Sequence, residues 1–139
     1  MILTPSATTP VPRILVAEDD PLNAVVIAQM LTRFGYDVVS AADGEEAVAA
    51  YISNRIQLVL MDSNMPRLNG IEALRKIREW EAQHERTPAP VVCLTGESFG
   101  KTRDALNAAG FTDFLAKPFR MDQLQELIES LLAANGNAT

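Results

Sequence analysis

The sequence predicts an α/β fold, a parallel five-stranded sheet covered by helices on both faces. Three observations lead there. Short apolar runs recur along the chain, such as Arg13-Ile-Leu-Val-Ala17 and Pro90-Val-Val-Cys-Leu-Thr95. Strands apolar on both faces belong to sheets buried on both sides, which are parallel. Between these runs lie helical patterns. Leu124, Leu127, Ile128, Leu131 and Leu132 follow i, i+3, i+4, i+7, i+8, a single amphipathic stripe. Turn and cap residues stand at the boundaries.

The first strand is Arg13 to Ala17. Asp20 then reads as an N-cap with Pro21 at the first helical position. That helix runs to about Phe34 and stops at Gly35, with Ile27, Met30, Leu31 and Phe34 able to face the sheet. Tyr36 to Ala41 forms the second strand, and Asp43 caps a helix from about Gly44 to Asn54. The third strand is Ile56 to Asp62. A helix from near Gly70 to about Gln83 carries Ile71, Leu74 and Ile77 inward. The fourth strand, Pro90 to Thr95, is followed by a shorter, polar helix over roughly Lys101 to Ala109, ending at Gly110. Phe114 to Ala116 is the fifth strand, and the last helix spans about Met121 to Ala134. Right-handed crossovers leave few topologies for five such repeats. The flavodoxin-like (βα)5 order 2-1-3-4-5 is the natural one. It sets the first and third strands side by side, so their C-terminal ends meet where the strand order reverses, the place where such sheets bind ligands.

A chain of 139 residues with 47% hydrophobic content suits one domain with a real core. Residues 1–12 read as a linker or lead-in, 13–134 as the domain and 135–139 as a frayed tail. The net charge of −6 argues against a nucleic-acid surface, which needs a basic footprint, and against anionic membranes. The single cysteine, Cys93, excludes an internal disulfide and suits a reducing cytosol. No stretch is long and apolar enough to span a membrane. A cytoplasmic location is expected, either for the chain itself or as the cytoplasmic part of a membrane-attached protein.

The strand ends carry the chemistry. Asp62 closes an apolar strand and is followed at once by Ser-Asn-Met-Pro-Arg-Leu-Asn-Gly. Glu18-Asp19-Asp20, Thr95 and Lys117-Pro118 end three other strands. Each alone has an ordinary explanation: Asp20 an N-cap, Asp62 a turn former, Thr95 a strand-end residue, Lys117 a solvated lysine. Together they suggest a metal-dependent site at which an aspartate accepts a phosphoryl group. Carboxylates gathered in one crevice repel unless a divalent cation sits among them, and hard oxygen ligands suit Mg²⁺.

Four segments carry a resemblance: Ile14-Leu-Val-Ala-Glu-Asp-Asp-Pro-Leu-Asn23, Asp62-Ser-Asn-Met-Pro-Arg-Leu-Asn-Gly70, Val92-Cys-Leu-Thr-Gly96 and Phe114-Leu-Ala-Lys-Pro-Phe119. The chain resembles the response regulator receiver domain of two-component phosphorelays over nearly all of Arg13 to Ala134. Segments such as Asp43-Gly-Glu-Glu-Ala47 resemble receivers attached to hybrid sensor histidine kinases. The resemblance implies that Asp62 takes a phosphoryl group from a phosphohistidine on a histidine kinase or histidine phosphotransfer protein. It implies Mg²⁺ held by Glu18, Asp19, Asp62 and the backbone carbonyl of Asn64. Lys117 would pair with a phosphoryl oxygen, Thr95 would donate its hydroxyl to another, and Pro118 would follow a cis peptide bond. Thr95 and Phe114 would form the conformational switch. Many members have tyrosine at Phe114, and packing on an edge strand is the alternative role there. The domain would be a signalling phosphoacceptor that catalyses its own phosphotransfer and slow dephosphorylation. The parent kinase, if there is one, would be the enzyme.

Leu22, Val25 and Ala28 share another side of the first helix at helical spacing. They form a candidate docking strip for the phosphohistidine partner, with rim packing by loops as the alternative. Any homodimer is expected to be weak. Two enzyme readings compete. Aspartate-nucleophile phosphatases usually place a second aspartate two residues after the first, where this chain has Asn64. The run Thr95-Gly-Glu-Ser-Phe-Gly-Lys-Thr102 nearly matches a P-loop but has threonine for the first glycine. A receiver fold serving only as a protein-interaction module is a third reading, and the complete set of site residues argues against it. Glu97 and Asn64 are expected to flank the path of attacking water. His84 reads as solvated, Cys93 as core packing, and Trp80 as shielding the third helix.

Overall fold

The computed structural model describes residues 11–62, 68–96 and 108–134. Within them lie the strands β1 (Arg13–Ala17), β2 (Asp37–Ala41), β3 (Leu58–Asp62), β4 (Val91–Thr95) and β5 (Asp113–Ala116). The described helices are α1 (Pro21–Arg33), α2 (Gly44–Ser53), α3 (Gly70–Gln83) and α4 (Met121–Leu132). All strand pairs are parallel, in the order β2-β1-β3-β4-β5. The order expected from the crossover rule is therefore the one that forms. Most of the expected helix over Lys101 to Ala109, the P-loop-like run beyond Gly96, the tail 135–139 and residues 1–10 of the lead-in lie outside the described residues.

Successive residues of each inner strand point to opposite faces, so the sheet splits the core in two. Leu15 and Ala17 of β1, Val59 and Met61 of β3, and Val91 and Cys93 of β4 pack with Ala47 and Tyr51 of α2 and Leu74 and Ile77 of α3. Ile14, Val16, Leu58, Leu60, Val92 and Leu94 pack on the other face with Ile27 and Leu31 of α1 and Leu124, Ile128 and Leu132 of α4. The α4 stripe read from the sequence is thus the buried one.

Local chemistry sets the helix ends. The Asp20 carboxylate accepts the Leu22 N–H at 3.0 Å ahead of Pro21. At the other end of α1, Gly35 adopts φ 96°. Its N–H reaches Thr32 O at 3.0 Å and the Tyr36 N–H reaches Leu31 O at 3.1 Å, which satisfies the last carbonyls. Asp43 caps α2 through the Glu46 N–H at 2.8 Å. Asn69 caps α3 through the Glu72 N–H at 2.9 Å.

One inward residue of α3 is corrected. Ile71 is 41% exposed, and Gly70, Ala73, Leu74, Ile77 and Glu81 are buried instead. Gly70, Ala73 and Glu81 contribute no apolar bulk to a periodicity, so the true face is displaced from the one that large residues suggest.

Candidate functional site

Parallel register brings the strand ends together. Ala17 pairs with Met61, which places Glu18 beside Asp62. Asp62 pairs with Leu94, and Thr95 with Ala116, so Thr95 and Lys117 follow at the same end of the sheet. Glu18, Asp62 and Thr95 are buried, whereas Asp19 is exposed. Carboxylate oxygens of Glu18, Asp19 and Asp62 lie within 4.8 Å of one another. Lys117 reaches into this group, its Nζ donating to Glu18 Oε1 at 3.0 Å and to Asp62 Oδ2 at 3.2 Å. The backbone holds it there: the Lys117 N–H donates to Thr95 O at 2.7 Å, and the Lys117–Pro118 peptide bond is cis. Asn64 and Glu97 lie outside the described residues.

Electrostatics follow from this crowding. Burial pushes the Glu18 carboxyl above its ordinary value, the Lys117 hydrogen bond opposes the rise, and the Asp62 charge adds to it. Burial also works against the Lys117 ammonium, but its hydrogen bond to Glu18 and the charge of Asp62 win, and its pKa is raised. The three carboxylates and one ammonium make a cluster with excess negative charge, built from hard oxygen donors. That donor set fits a small divalent cation such as Mg²⁺.

Beside the cluster lies a cleft of about 380 Å³ lined by Glu18, Asn23, Val26, Ile27, Met30, Lys117, Pro118 and Phe119. On α1 near it, Leu22 is 71% and Val25 52% exposed, while Ala28 is half-buried. Val26, also exposed, widens the strip. Sequence reasoning missed Asn23, Val26 and Met30 as lining residues, although their i, i+3, i+7 spacing was a usable signal. Phe114 is half-buried and packs on Phe111 with ring centroids 6.4 Å apart.

Comparison with known proteins agrees with this geometry. Residues 14–129 match the family model described as response regulator receiver domain. The sensor protein GacS of Pseudomonas syringae is 33% identical over 124 residues, which is 89% of this chain and 14% of GacS. The autoinducer sensor kinase/phosphatase CqsS of Vibrio cholerae is 39% identical over 112 residues, 81% of this chain and 16% of CqsS. The chain therefore spans only a small part of GacS and CqsS. Among solved structures, the receiver domain of the sensor histidine kinase PA1611 of Pseudomonas aeruginosa superposes with a TM-score of 0.80 at 35% identity. The match covers 89% of this chain and 99% of that one, which holds a magnesium ion in its active-site cleft. The chemotaxis protein CheY4 of Vibrio cholerae superposes equally well, TM-score 0.80 at 28% identity, over 88% of this chain and 100% of that one.

Proposed function

Because the chain belongs to the response regulator receiver domain family, we propose that it relays a two-component signal by carrying a phosphoryl group on Asp62. The observation that carries this reading is the buried Asp62 carboxylate, within 4.8 Å of two further carboxylates and 3.2 Å from Lys117 Nζ. An Asp62 oxygen attacks the phosphorus of a phosphohistidine. The P–N bond breaks, its electron pair returns to the imidazole, and an acyl phosphate forms. Water later cleaves that acyl phosphate to release orthophosphate. Glu18 and Asp19 hold Mg²⁺ together with Asp62, and Asn64 is proposed to add its carbonyl. When bound, Mg²⁺ neutralises the charge of the phosphoryl oxygens. Lys117 pairs with one phosphoryl oxygen and Thr95 donates to another, so the chain positions and neutralises the transferring group. Thr95 and Phe114 convert phosphorylation into a shape change.

The donor is a histidine kinase or histidine phosphotransfer protein. The likeness of this chain to parts of the sensor protein GacS and the sensor kinase/phosphatase CqsS supports a partner of that kind. The strip of exposed Leu22 and Val25 with half-buried Ala28, near the cleft at Lys117, is where it docks. Incubation with acetyl phosphate and Mg²⁺ followed by intact mass measurement tests the core of the reading. One phosphoryl adduct that requires Mg²⁺ and vanishes in Asp62→Asn is expected. A folded protein that takes up none would instead be an interaction module.

A further inference from the structure

At the end of the sheet opposite Asp62 lies a second cleft, about 260 Å³, lined by Tyr51, Asn54, Arg55, Ile56, Gln57, Trp80, Arg86 and Thr87. No carboxylate lines it, in a chain with 18 acidic and 12 basic residues. Two arginines do. The Arg86 guanidinium sits 5.1 Å from the centre of the Trp80 ring, a cation–π contact that fixes its place and leaves its N–H edges for another partner. The chain turn supports this position. Glu85 takes the left-handed conformation, φ 54°, and the Arg86 N–H folds back to Glu81 O at 2.8 Å. His84 stacks on the same indole, with ring centroids 4.5 Å apart. Among the described residues, Arg55 and Arg86 make no ion pair.

The neighbouring polar groups do not supply the missing anion. Glu81, which hydrogen-bonds Tyr51, is buried and already engaged by Tyr51, Arg78 and the Ala89 N–H. Gln57 uses its Oε1 on the Arg13 N–H at 2.6 Å, so its NH₂ group is what remains for a ligand. The Thr87 hydroxyl adds a further donor to the lining.

We propose that this cleft binds the oxyanion group of a small molecule, a phosphate or a carboxylate, between the guanidinium groups of Arg55 and Arg86. Guanidinium forks match both groups through paired charge-assisted hydrogen bonds. The volume falls just under the range of about 300–1,000 Å³ typical of drug-sized ligands, which suits a small anion. The site is separate from Asp62 and stands whether or not that residue is phosphorylated.

Trp80 is the only tryptophan, so its fluorescence reports on the cleft. The full chain is titrated, without Mg²⁺ and at constant ionic strength, with inorganic phosphate in one arm and succinate in another. Chloride is the control, and NMR of the arginine Nε–H groups is the second readout. Saturable change with phosphate or succinate is expected, the responding arm naming the group. Arg55→Gln should weaken binding by about tenfold, the weight of one charge-assisted hydrogen bond, and Asp62→Asn should not change it. No saturation in either arm, an equal response to chloride, or full affinity in folded Arg55→Gln overturns the proposal.

Discussion

Lys117 serves as the internal counterion of the acidic cluster, with Glu18 and Asp62 both within hydrogen-bond reach. The sign of its effect differs from that of Glu18. The raised Lys117 pKa contributes stability that is present below the ordinary value of 10.5 and lost as pH rises through the folded value. The raised Glu18 pKa means that the folded state holds a proton more tightly than the unfolded chain. Stability therefore falls as pH climbs from the ordinary 4.5 through the raised value. Glu18→Gln removes that repulsion. Without metal at neutral pH it should unfold at a slightly higher temperature and lose the pH slope above 4.5. Thermal melts across pH check both, and a variant less stable than the parent at every pH would refute the argument. Gly44 shows a different residue-scale constraint. A Cβ there would stand 1.9 Å from Leu68 O, so only glycine lets α2 begin against the segment that leads into α3.

Among the elements, α1 has two apolar sides with different fates. Ile27 and Leu31 are buried in the sheet face, whereas Leu22 and Val25 stand in solvent. Aspartate at both exposed positions should leave the fold and acetyl-phosphate uptake intact. Transfer from a phosphohistidine donor should slow by about tenfold or more, as expected when hydrophobic contacts of an interface are lost. Unchanged transfer in quench-flow assays would remove α1 from the docking surface. Two of the helix ends with left-handed residues show what sequence reveals at this scale. Gly35 announces its turn, because glycine is the usual residue there. Glu85 makes the equivalent turn after α3 with nothing in its chemistry to mark it. The burial of Glu81 on the inward face of α3 was equally hidden, since its partners Tyr51 and Ala89 come from elsewhere in the chain.

For the whole molecule, strand order was legible because apolar runs joined by short helical connections leave few parallel arrangements. Glu18, Asp62, Thr95 and Lys117 were legible because each stands at the end of such a run, and parallel pairing then aligns those ends. The cleft around Trp80 was not, because it needs the ends of α2 and α3 brought together across the intervening chain. A cation bound to the folded acidic cluster and not to the unfolded chain should stabilise the entire fold. At a concentration a hundred times its dissociation constant the gain is about 2.7 kcal/mol. Mg²⁺ should raise the melting temperature accordingly, and Asp19→Asn should abolish most of the rise. The midpoint staying fixed with Mg²⁺ would contradict a folded-state metal site. Cys93 adds a practical consequence. It lies fully buried in β4, paired with Met61 on one side and Phe114 on the other. A thiol reagent can reach its sulfur only when the sheet itself opens, so the labelling rate is a clock for rare excursions from the native state. The same seal leaves an added surface cysteine as the only thiol that reacts promptly, ready for a dye or spin label without editing the native sequence further.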